Sequence, residues 1–158
     1  AGNVVIGLPS SGLHSNGFSL VRKVFSLREQ KKFASDLLKP TRIYAKEVLS
    51  IIEKFSVKGI AHITGGAFYD KLTKILPEGK CFDIDKKSWP VPSIFRKIQE
   101  KGKVKELEMY RTFNMGIGLA LVFAKRDVLE VESFFKKRRI KFYKIGTIVN
   151  NTQKRILI

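Results

Sequence analysis

A short apolar strand pattern at residues 4–8 runs into a polar loop, and this transition constrains the chain more than any other feature. The loop, residues 9–17, contains two glycines, three serines, an asparagine and a histidine. An apolar helix pattern follows from Phe18, so the loop is held between two regular elements. Glycine permits a positive φ and a close approach of ligand to main chain, and we expect Gly12 and Gly17 to serve that purpose. Such a loop is typical of a site for a phosphate or another polar ligand.

Two more glycine-bearing loops lie at the ends of apolar strand patterns further along the chain. One follows a strand predicted at residues 60–64, and the other precedes a strand predicted at residues 116–124. If these strand ends lie on one side of a sheet, the three loops form one concave polar site. Taken singly, each loop is more simply interpreted as an ordinary turn, but three together favour a ligand site. The predicted substrate-binding residues are Ser10, Ser11, Gly12, Ser15, Asn16, Gly17, Thr64, Gly65, Gly66 and Asn114.

Strand and helix patterns mix along the chain without a regular strand–helix–strand rhythm. This favours an α+β fold, with helices packed on a mixed β-sheet. The length predicts a single domain over residues 1–158. The predicted strands are 4–8, 60–64, 81–84, 116–124, 141–149 and 155–158, of which the last two form a hairpin. The predicted helices are 18–27, 41–55, 68–76, 93–100, 105–110 and 127–139, with some helical character at 31–38.

His14 is the candidate catalytic residue. It lies among serines on a glycine-bearing loop, so we expect it to be accessible and able to exchange a proton near neutral pH. The alternative is a loop histidine that only hydrogen-bonds to the backbone. His62 lies within a strand pattern and is more simply explained as part of the fold. Arg42 and Arg111 are candidates for phosphate binding, or equally for salt bridges that support the fold.

No metal site is predicted from the sequence. The two histidines have no metal-ligand partner at useful spacing, and Cys81 is the only cysteine. Neither a Gly-x-Ser-x-Gly motif nor a pair of carboxylates suited to acid–base chemistry is present. The chain also contains no Walker-type loop and no clustered acidic pair suited to Mg²⁺. We therefore expect no cofactor that is intrinsic to this chain.

The chain carries a formal net charge of +17, because lysine and arginine outnumber aspartate and glutamate by 31 to 14. The basic residues are spread along the sequence, and their densest run, residues 136–141, closes a predicted helix where cations complement the helix dipole. No aromatic residues interleave with them as in a single-strand binding surface. We therefore expect mainly a solvated, lysine-rich surface. The other interpretation is attraction to an anionic ligand, for which a small phosphorylated substrate is simpler than nucleic acid. A non-catalytic module that binds polyanions is the alternative.

The sequence shows neither an apolar run of membrane-spanning length nor a signal-peptide pattern. A single cysteine fits a reducing compartment, so we expect a cytoplasmic protein without a membrane partner. The chain begins without methionine, directly before its first predicted strand. This favours a piece of a longer protein, cut near a domain boundary.

Four ordered blocks of sequence resemble one known family. They comprise residues 9–23, 38–44, 60–66 and 111–118, and the segment Ser88-Trp-Pro-Val-Pro lies between the last two. Together they resemble the C-terminal half of aminoimidazole ribonucleotide synthetase, also called phosphoribosylformylglycinamidine cyclo-ligase. Members usually carry a third glycine after Gly65-Gly66, where this chain has Ala67. A methyl group there could narrow the approach of a ligand to the loop.

The resemblance implies an ATP-dependent ring closure in de novo purine biosynthesis. ATP phosphorylates the formyl oxygen of formylglycinamidine ribonucleotide, and an internal amine then attacks the activated carbon with loss of phosphate. It further implies that ATP and Mg²⁺ are bound mainly by an N-terminal half absent from this chain, that this half is a partner across a groove, and that the full-length enzyme is a homodimer. Related two-half enzymes of the formylglycinamidine synthetase, hydrogenase-maturation or selenophosphate type are the alternatives.

Overall fold

The computed structural model describes residues 1–153 and 155–158, which form a six-stranded sheet with helices packed on it. The strands are β1 Val4–Pro9, β2 Gly59–His62, β3 Lys80–Ile84, β4 Ile117–Phe123, β5 Tyr143–Asn150 and β6 Ile156–Leu157. Their order across the sheet is β2-β4-β1-β5-β3-β6. Neighbouring strands are antiparallel except for β3 and β6. The predicted α+β class with a mixed sheet is confirmed.

The α-helices of the described residues are α1 Phe18–Val24, α2 Leu27–Lys32, α3 Ala34–Leu37, α4 Ala45–Ile52, α5 Ser93–Gly102, α6 Glu106–Thr112 and α7 Val128–Lys137. The predicted helix at 18–27 ends early because Ser26 caps α2. The Ser26 hydroxyl accepts the N–H of Glu29, and the Glu29 carboxylate accepts the N–H of Ser26. Residues 68–75 form a π-helical turn and a 3₁₀ turn instead of the predicted α-helix.

The predicted helix at 41–55 is shorter in the structure, where it begins at Ala45 and ends at Ile52. The preceding segment bonds to the first loop instead. The backbone N–H of Arg42 donates to His14, and the Tyr44 hydroxyl donates to the carbonyl of Pro9. These contacts are between residues far apart in sequence, so a local helix pattern does not reveal them.

The predicted hairpin of the last two strands is wrong. β6 pairs in parallel with β3, where Phe82 lies opposite Ile156 and Asp83 lies opposite Leu157. β5 is already paired with β1 on one side and with β3 on the other. Because both edges of β5 are occupied, β6 lies on the far side of β3 instead.

Each face of the central strands has its own apolar core. Val5 and Val122 belong to the larger core, which includes Phe113 and the buried side chains of α1, α5 and α6. Ile6 and Leu121 belong to the second core, under α4 and α7. β4 is buried along its whole length, as expected for a strand covered on both faces. None of the helices in the described ranges is long and apolar enough to cross a membrane.

Candidate functional site

The three glycine-bearing loops leave the same end of the sheet. β1 ends at Pro9 and β2 ends at His62, whereas β4 begins at Ile117. Since β4 is antiparallel to both of its neighbours, its start lies beside their ends. The register confirms this, because Pro9 lies directly opposite Ile117.

Contacts between the loops show that they form one surface. The N–H of Ser10 donates to the carbonyl of Gly116 over 2.9 Å, which joins the first loop to the loop before β4. Gly65 lies beside Asn16, whose Oδ1 would be 3.4 Å from a Cβ at the glycine. The predicted gathering of the three loops is therefore confirmed as geometry, while their binding of a ligand stays a prediction.

Asn114 holds two of these loops together. Its side chain is 1% exposed. Its Oδ1 accepts hydrogen bonds from the Ser10 hydroxyl over 3.0 Å and from the Gly116 N–H over 2.9 Å. Its Nδ2 donates to the Gly12 carbonyl over 2.8 Å. Because both ends of the amide are engaged inside the protein, the geometry favours a supporting role for Asn114 and Ser10.

Gly118 leaves room for two rings at the start of β4. The register of β1 and β4 shifts between Leu8 and Pro9, so Gly118 is the additional residue of a β-bulge. A Cβ on this glycine would lie 2.6 Å from Cε1 of His14 and would overlap the Tyr44 hydroxyl. Without it, that hydroxyl reaches the Pro9 carbonyl and donates to it over 2.8 Å.

His14 lies inside the first loop and is 4% exposed. Its Nε2 accepts the N–H of Ser11 over 3.0 Å and the N–H of Arg42 over 3.3 Å. Burial, followed by the charges of His62 and Arg42, lowers the pKa of His14 to about 4. The expected accessible histidine that exchanges protons near neutral pH is therefore wrong, because the fold encloses the ring and keeps it neutral. Its role in catalysis remains an untested prediction.

These contacts determine which nitrogen of the neutral His14 imidazole carries the proton. Two backbone N–H groups donate to Nε2, and the Ser11 hydroxyl oxygen lies 3.1 Å from it. Because the two N–H donors require an acceptor, Nε2 accepts and Nδ1 carries the proton. Within residues 1–153 and 155–158, Nδ1 is buried and has no hydrogen-bond partner. His62 and Tyr44 pack against the ring, each with its centroid 6.2 Å away. His14 is thus built to hold the loop in place through Nε2.

The loop backbone turns through positive φ at three positions. Gly17 has a φ of 72°, as predicted for a glycine. Gly12 does not have a positive φ, so that part of the expectation is wrong; His14 and Ser15 adopt it instead, with φ of 54° and 61°. Such a conformation costs a non-glycine residue free energy, and the hydrogen bond between Ser11 and the His14 ring helps to fix it.

The loops divide into supporting residues and residues that are available to a ligand. The Ser11 hydroxyl donates to the carbonyl of Pro40 over 2.6 Å, which places Ser11 with the supporting residues. Ser15, in contrast, is exposed, and its hydroxyl makes no hydrogen bond to any described residue. Asn16 donates from Nδ2 to the His14 carbonyl and leaves Oδ1 beside Gly65. We call the following set the open loop face: Ser15, Asn16, Gly17, Thr64, Gly65 and Gly66.

Ala67 occupies the place where members of the resembled family usually have a third glycine. Its backbone has a φ of 43° and a ψ of −127°, a conformation that favours glycine. The methyl group is fully buried and belongs to the larger core. The substitution therefore strains the backbone, and its methyl group packs inward instead of narrowing the open loop face.

Arg42 and Arg111 differ in their surroundings. Arg42 forms an ion pair with Glu47 over 2.9 Å and donates from Nη1 to the Pro9 carbonyl over 3.1 Å. It therefore supports the first loop in the way that the salt-bridge alternative describes. Arg111 is exposed and lies over the ring of Tyr69 at 5.4 Å.

Tyr44 and Gly118 are the site residues that the sequence analysis did not single out. Both lie inside the blocks that carry the family resemblance. A glycine in an otherwise apolar strand is a signal for a bulge or a close approach, and it could have pointed to Gly118. Tyr44 had no comparable signal, because it fits the apolar helix pattern equally well.

The described residues contain no group of three or more His, Cys, Asp or Glu side chains that could hold a metal ion. The polar groups at the open loop face are hydroxyls, amides and backbone N–H groups, which suit hydrogen bonding to a polar or anionic ligand.

We expect the stability of the fold to fall below about pH 6.5 because of His14. The pKa falls from 6.5 to about 4 on folding, so the unfolded chain binds the proton more tightly. The contribution of neutral His14 to the free energy of unfolding is fully present above about pH 6.5 and decreases by about 3 kcal/mol as the pH falls towards 4. Urea unfolding between about pH 7.5 and about pH 4.5, followed by the fluorescence of Trp89, measures this decrease.

The matched variants for this measurement are His14→Gln and His62→Gln. A glutamine Oε1 can still accept the N–H groups of Ser11 and Arg42 but does not titrate, so His14→Gln should lose most of the pH dependence. His62→Gln should keep most of it, because burial is the main cause of the shift at His14. Equal slopes in wild type and His14→Gln would contradict the assignment.

Solved structures with the same fold have very different sequences. The chain is similar to a thiamine-monophosphate kinase from Stenotrophomonas maltophilia, with a TM-score of 0.61 and 14% identity, over 98% of this chain and 50% of that one. A structure from Thermus thermophilus gives a TM-score of 0.58 and 16% identity, over 98% of this chain and 49% of that one. At these identities the likeness establishes the fold alone. The match covers about half of each of those two chains.

The family is established by the sequence. The family model described as "AIR synthase related protein, C-terminal domain" matches residues 1–158. The chain belongs to this family, as the blocks around the glycine-bearing loops indicate.

Two relatives of this chain carry the same name. The chain is 48% identical to the phosphoribosylformylglycinamidine cyclo-ligase of Caldicellulosiruptor bescii, over 93% of this chain and 47% of the relative. It is 50% identical to the chloroplastic/mitochondrial protein of that name from Vigna unguiculata, over 95% of this chain and 41% of the relative. The chain therefore spans about half the length of the curated relatives it matches.

Proposed function

We propose that this chain is the substrate-side half of an ATP-dependent cyclo-ligase, which converts formylglycinamidine ribonucleotide to aminoimidazole ribonucleotide in de novo purine biosynthesis. The proposal rests on one observation: the residues of the open loop face lie together at one end of the sheet, in a domain of this family. The names and lengths of the relatives support it. The related two-half enzymes of the superfamily are the competing assignment.

We assign the two halves different tasks. ATP and Mg²⁺ are bound mainly by the N-terminal half of the whole protein, as the family resemblance implies. Residues 1–158 form the C-terminal domain, and the whole enzyme is a homodimer in the cytoplasm. The contribution of this domain is to position the substrate, which is a large part of catalysis when two phosphorylated ligands must meet.

The open loop face suits this task by its chemistry. Ser15 presents a hydroxyl that makes no hydrogen bond to any described residue, and Gly65 presents exposed backbone beside the Asn16 side-chain oxygen. A net charge of +17 favours the approach of an anionic substrate. His14 then acts as a positioning residue, since its Nε2 holds Ser11 and Arg42 while its ring stays buried.

A fusion tests the assigned reaction. We expect the 158-residue chain, joined to the N-terminal half of the Caldicellulosiruptor bescii relative, to release ADP from Mg-ATP only when formylglycinamidine ribonucleotide is present. Neither half alone should do so, because each lacks part of the site. Turnover by the 158-residue chain alone would contradict the two-half assignment, and turnover with the substrate of a related enzyme would favour that enzyme.

Ser15→Glu in the fusion tests the open loop face. A carboxylate there would repel a phosphorylated substrate at close range, so we expect kcat/KM to fall about 10–100-fold, mainly through KM. Ser19→Glu is the matched control, because Ser19 is also exposed and lies one turn further on, in α1. Thermal unfolding should be unchanged in both variants. Equal losses of activity would mean that the added charge acts through the field of the whole domain.

A further inference from the structure

A second polar cleft lies away from the open loop face, between α4 and the chain that follows α7. Its volume is about 260 Å³. Its walls come from two segments that are distant in sequence. The lining residues are Arg42, Lys46, Glu47, Ser50, Arg138, Arg139 and Ile140.

The cleft carries a large excess of positive charge. Its carboxylate, Glu47, is already paired with Arg42 over 2.9 Å. Lys46, Arg138 and Arg139 have no carboxylate within ion-pair distance among the described residues. Three cations therefore face one small space without a compensating anion.

The helix dipole accounts for only part of this arrangement. Cations are favoured after the last turn of α7, where Arg138 and Arg139 lie. Arg42 and Lys46, however, lie before and within the first turn of α4, where the dipole disfavours positive charge. An anion bound between the two segments would compensate these charges.

We propose that this cleft binds a phosphate group, either as inorganic phosphate or as part of a small phosphate monoester. Guanidinium groups match phosphate oxygens with paired N–H donors, and the lysine adds a point charge. The Arg138 guanidinium lies over the Phe134 ring at 5.1 Å, which limits its freedom before binding. This site is separate from the open loop face, and the proposal does not depend on the reaction proposed above.

Arg42 gives the site a physical link to the first loop. The same side chain contacts Glu47 and the Pro9 carbonyl, and its backbone N–H bonds to the His14 ring. Neutralising the surplus charge around Arg42 should therefore stabilise the loop as well as the cleft. Binding should appear both as heat in calorimetry and as a raised unfolding temperature.

Titration of the 158-residue chain at about 0.15 M ionic strength tests the proposal, with inorganic phosphate and with ribose 5-phosphate as separate probes. We expect saturable binding of at least one probe with a Kd of about 1 mM or lower. Tighter binding of inorganic phosphate would assign the site to the free ion, and tighter binding of ribose 5-phosphate would assign it to a monoester. Arg138→Gln/Arg139→Gln should weaken the binding about tenfold or more.

The control removes the same number of positive charges from the neighbouring last turn of α7. Lys136→Gln/Lys137→Gln lies outside the cleft lining, so binding should stay within about twofold of wild type. Lys46→Gln provides a second test from the opposite wall and should also weaken binding. The proposal is overturned if both double variants lose affinity equally, which would mean diffuse attraction, or if neither probe binds below about 10 mM.

Discussion

Gly17→Ala should destabilise the fold by about 3 kcal/mol or more, which corresponds to a drop in Tm of roughly 6–12 °C. Gly17 has a φ of 72°, and a Cβ there would lie 2.6 and 2.9 Å from Cζ and Cδ1 of Phe113. That ring is fully buried and packs against Phe95 at 5.7 Å, so it has no free space into which to move. The variant therefore combines backbone strain with a steric overlap in the core.

Gly79→Ala is the matched control, because it isolates the backbone strain. Gly79 has a φ of 71°, and a Cβ on it would meet nothing within 4 Å. We expect Gly79→Ala to lower the free energy of unfolding by about 1 kcal/mol, which is the cost of the left-handed conformation for alanine alone. Urea unfolding followed by the fluorescence of Trp89, the single tryptophan, measures both variants. Equal losses would show that the Phe113 ring yields and that packing at the loop is loose.

Asn114→Ala should cost about 3–4 kcal/mol of folding free energy. The substitution removes the acceptor of the Ser10 hydroxyl and of the Gly116 N–H, and it removes the donor to the Gly12 carbonyl. Asn114 is buried, so water cannot replace these bonds without opening the loop. Because the bonds join the first loop to the loop before β4, the open loop face should also lose its shape.

Two further variants distinguish the loss of the buried Asn114 hydrogen bonds from the removal of any asparagine side chain. Asn114→Asp keeps the two acceptor bonds but places a carboxylate oxygen against the Gly12 carbonyl, so it should be destabilising as well. Asn150→Ala should change stability by less than about 0.5 kcal/mol, because among the described residues that exposed side chain accepts one hydrogen bond, from Lys80 at the surface. A loss at Asn114→Ala no larger than at Asn150→Ala would contradict the supporting role.

Local sequence determined the parts of this protein that depend on neighbouring residues. The strand pattern at 4–8 and the glycines of the three loops predicted strands that end in polar loops, and the structure places these ends together. The four sequence blocks identified the family. The α+β class also followed from the order of the patterns. Each of these features is encoded in residue type and spacing along a short segment, which a sequence displays directly.

The burial of His14 was decided only by the tertiary structure. The ring is enclosed because Tyr44 and His62 approach it and because Gly118 has no side chain. These three residues come from separate elements, so a loop pattern around the histidine suggests exposure. Desolvation by that packing then lowers the pKa of His14 and keeps its imidazole neutral.

Strand pairing and the basic cleft have the same physical origin. β6 joins β3 because both edges of β5 are occupied, and that occupancy depends on β1 at the other end of the chain. Arg42 and Arg138 line the same cleft because α4 and α7 pack on one face of the sheet. Sequence specifies which side chains can form such contacts. Which of them meet is decided by how distant elements compete for the same edges and faces of the sheet.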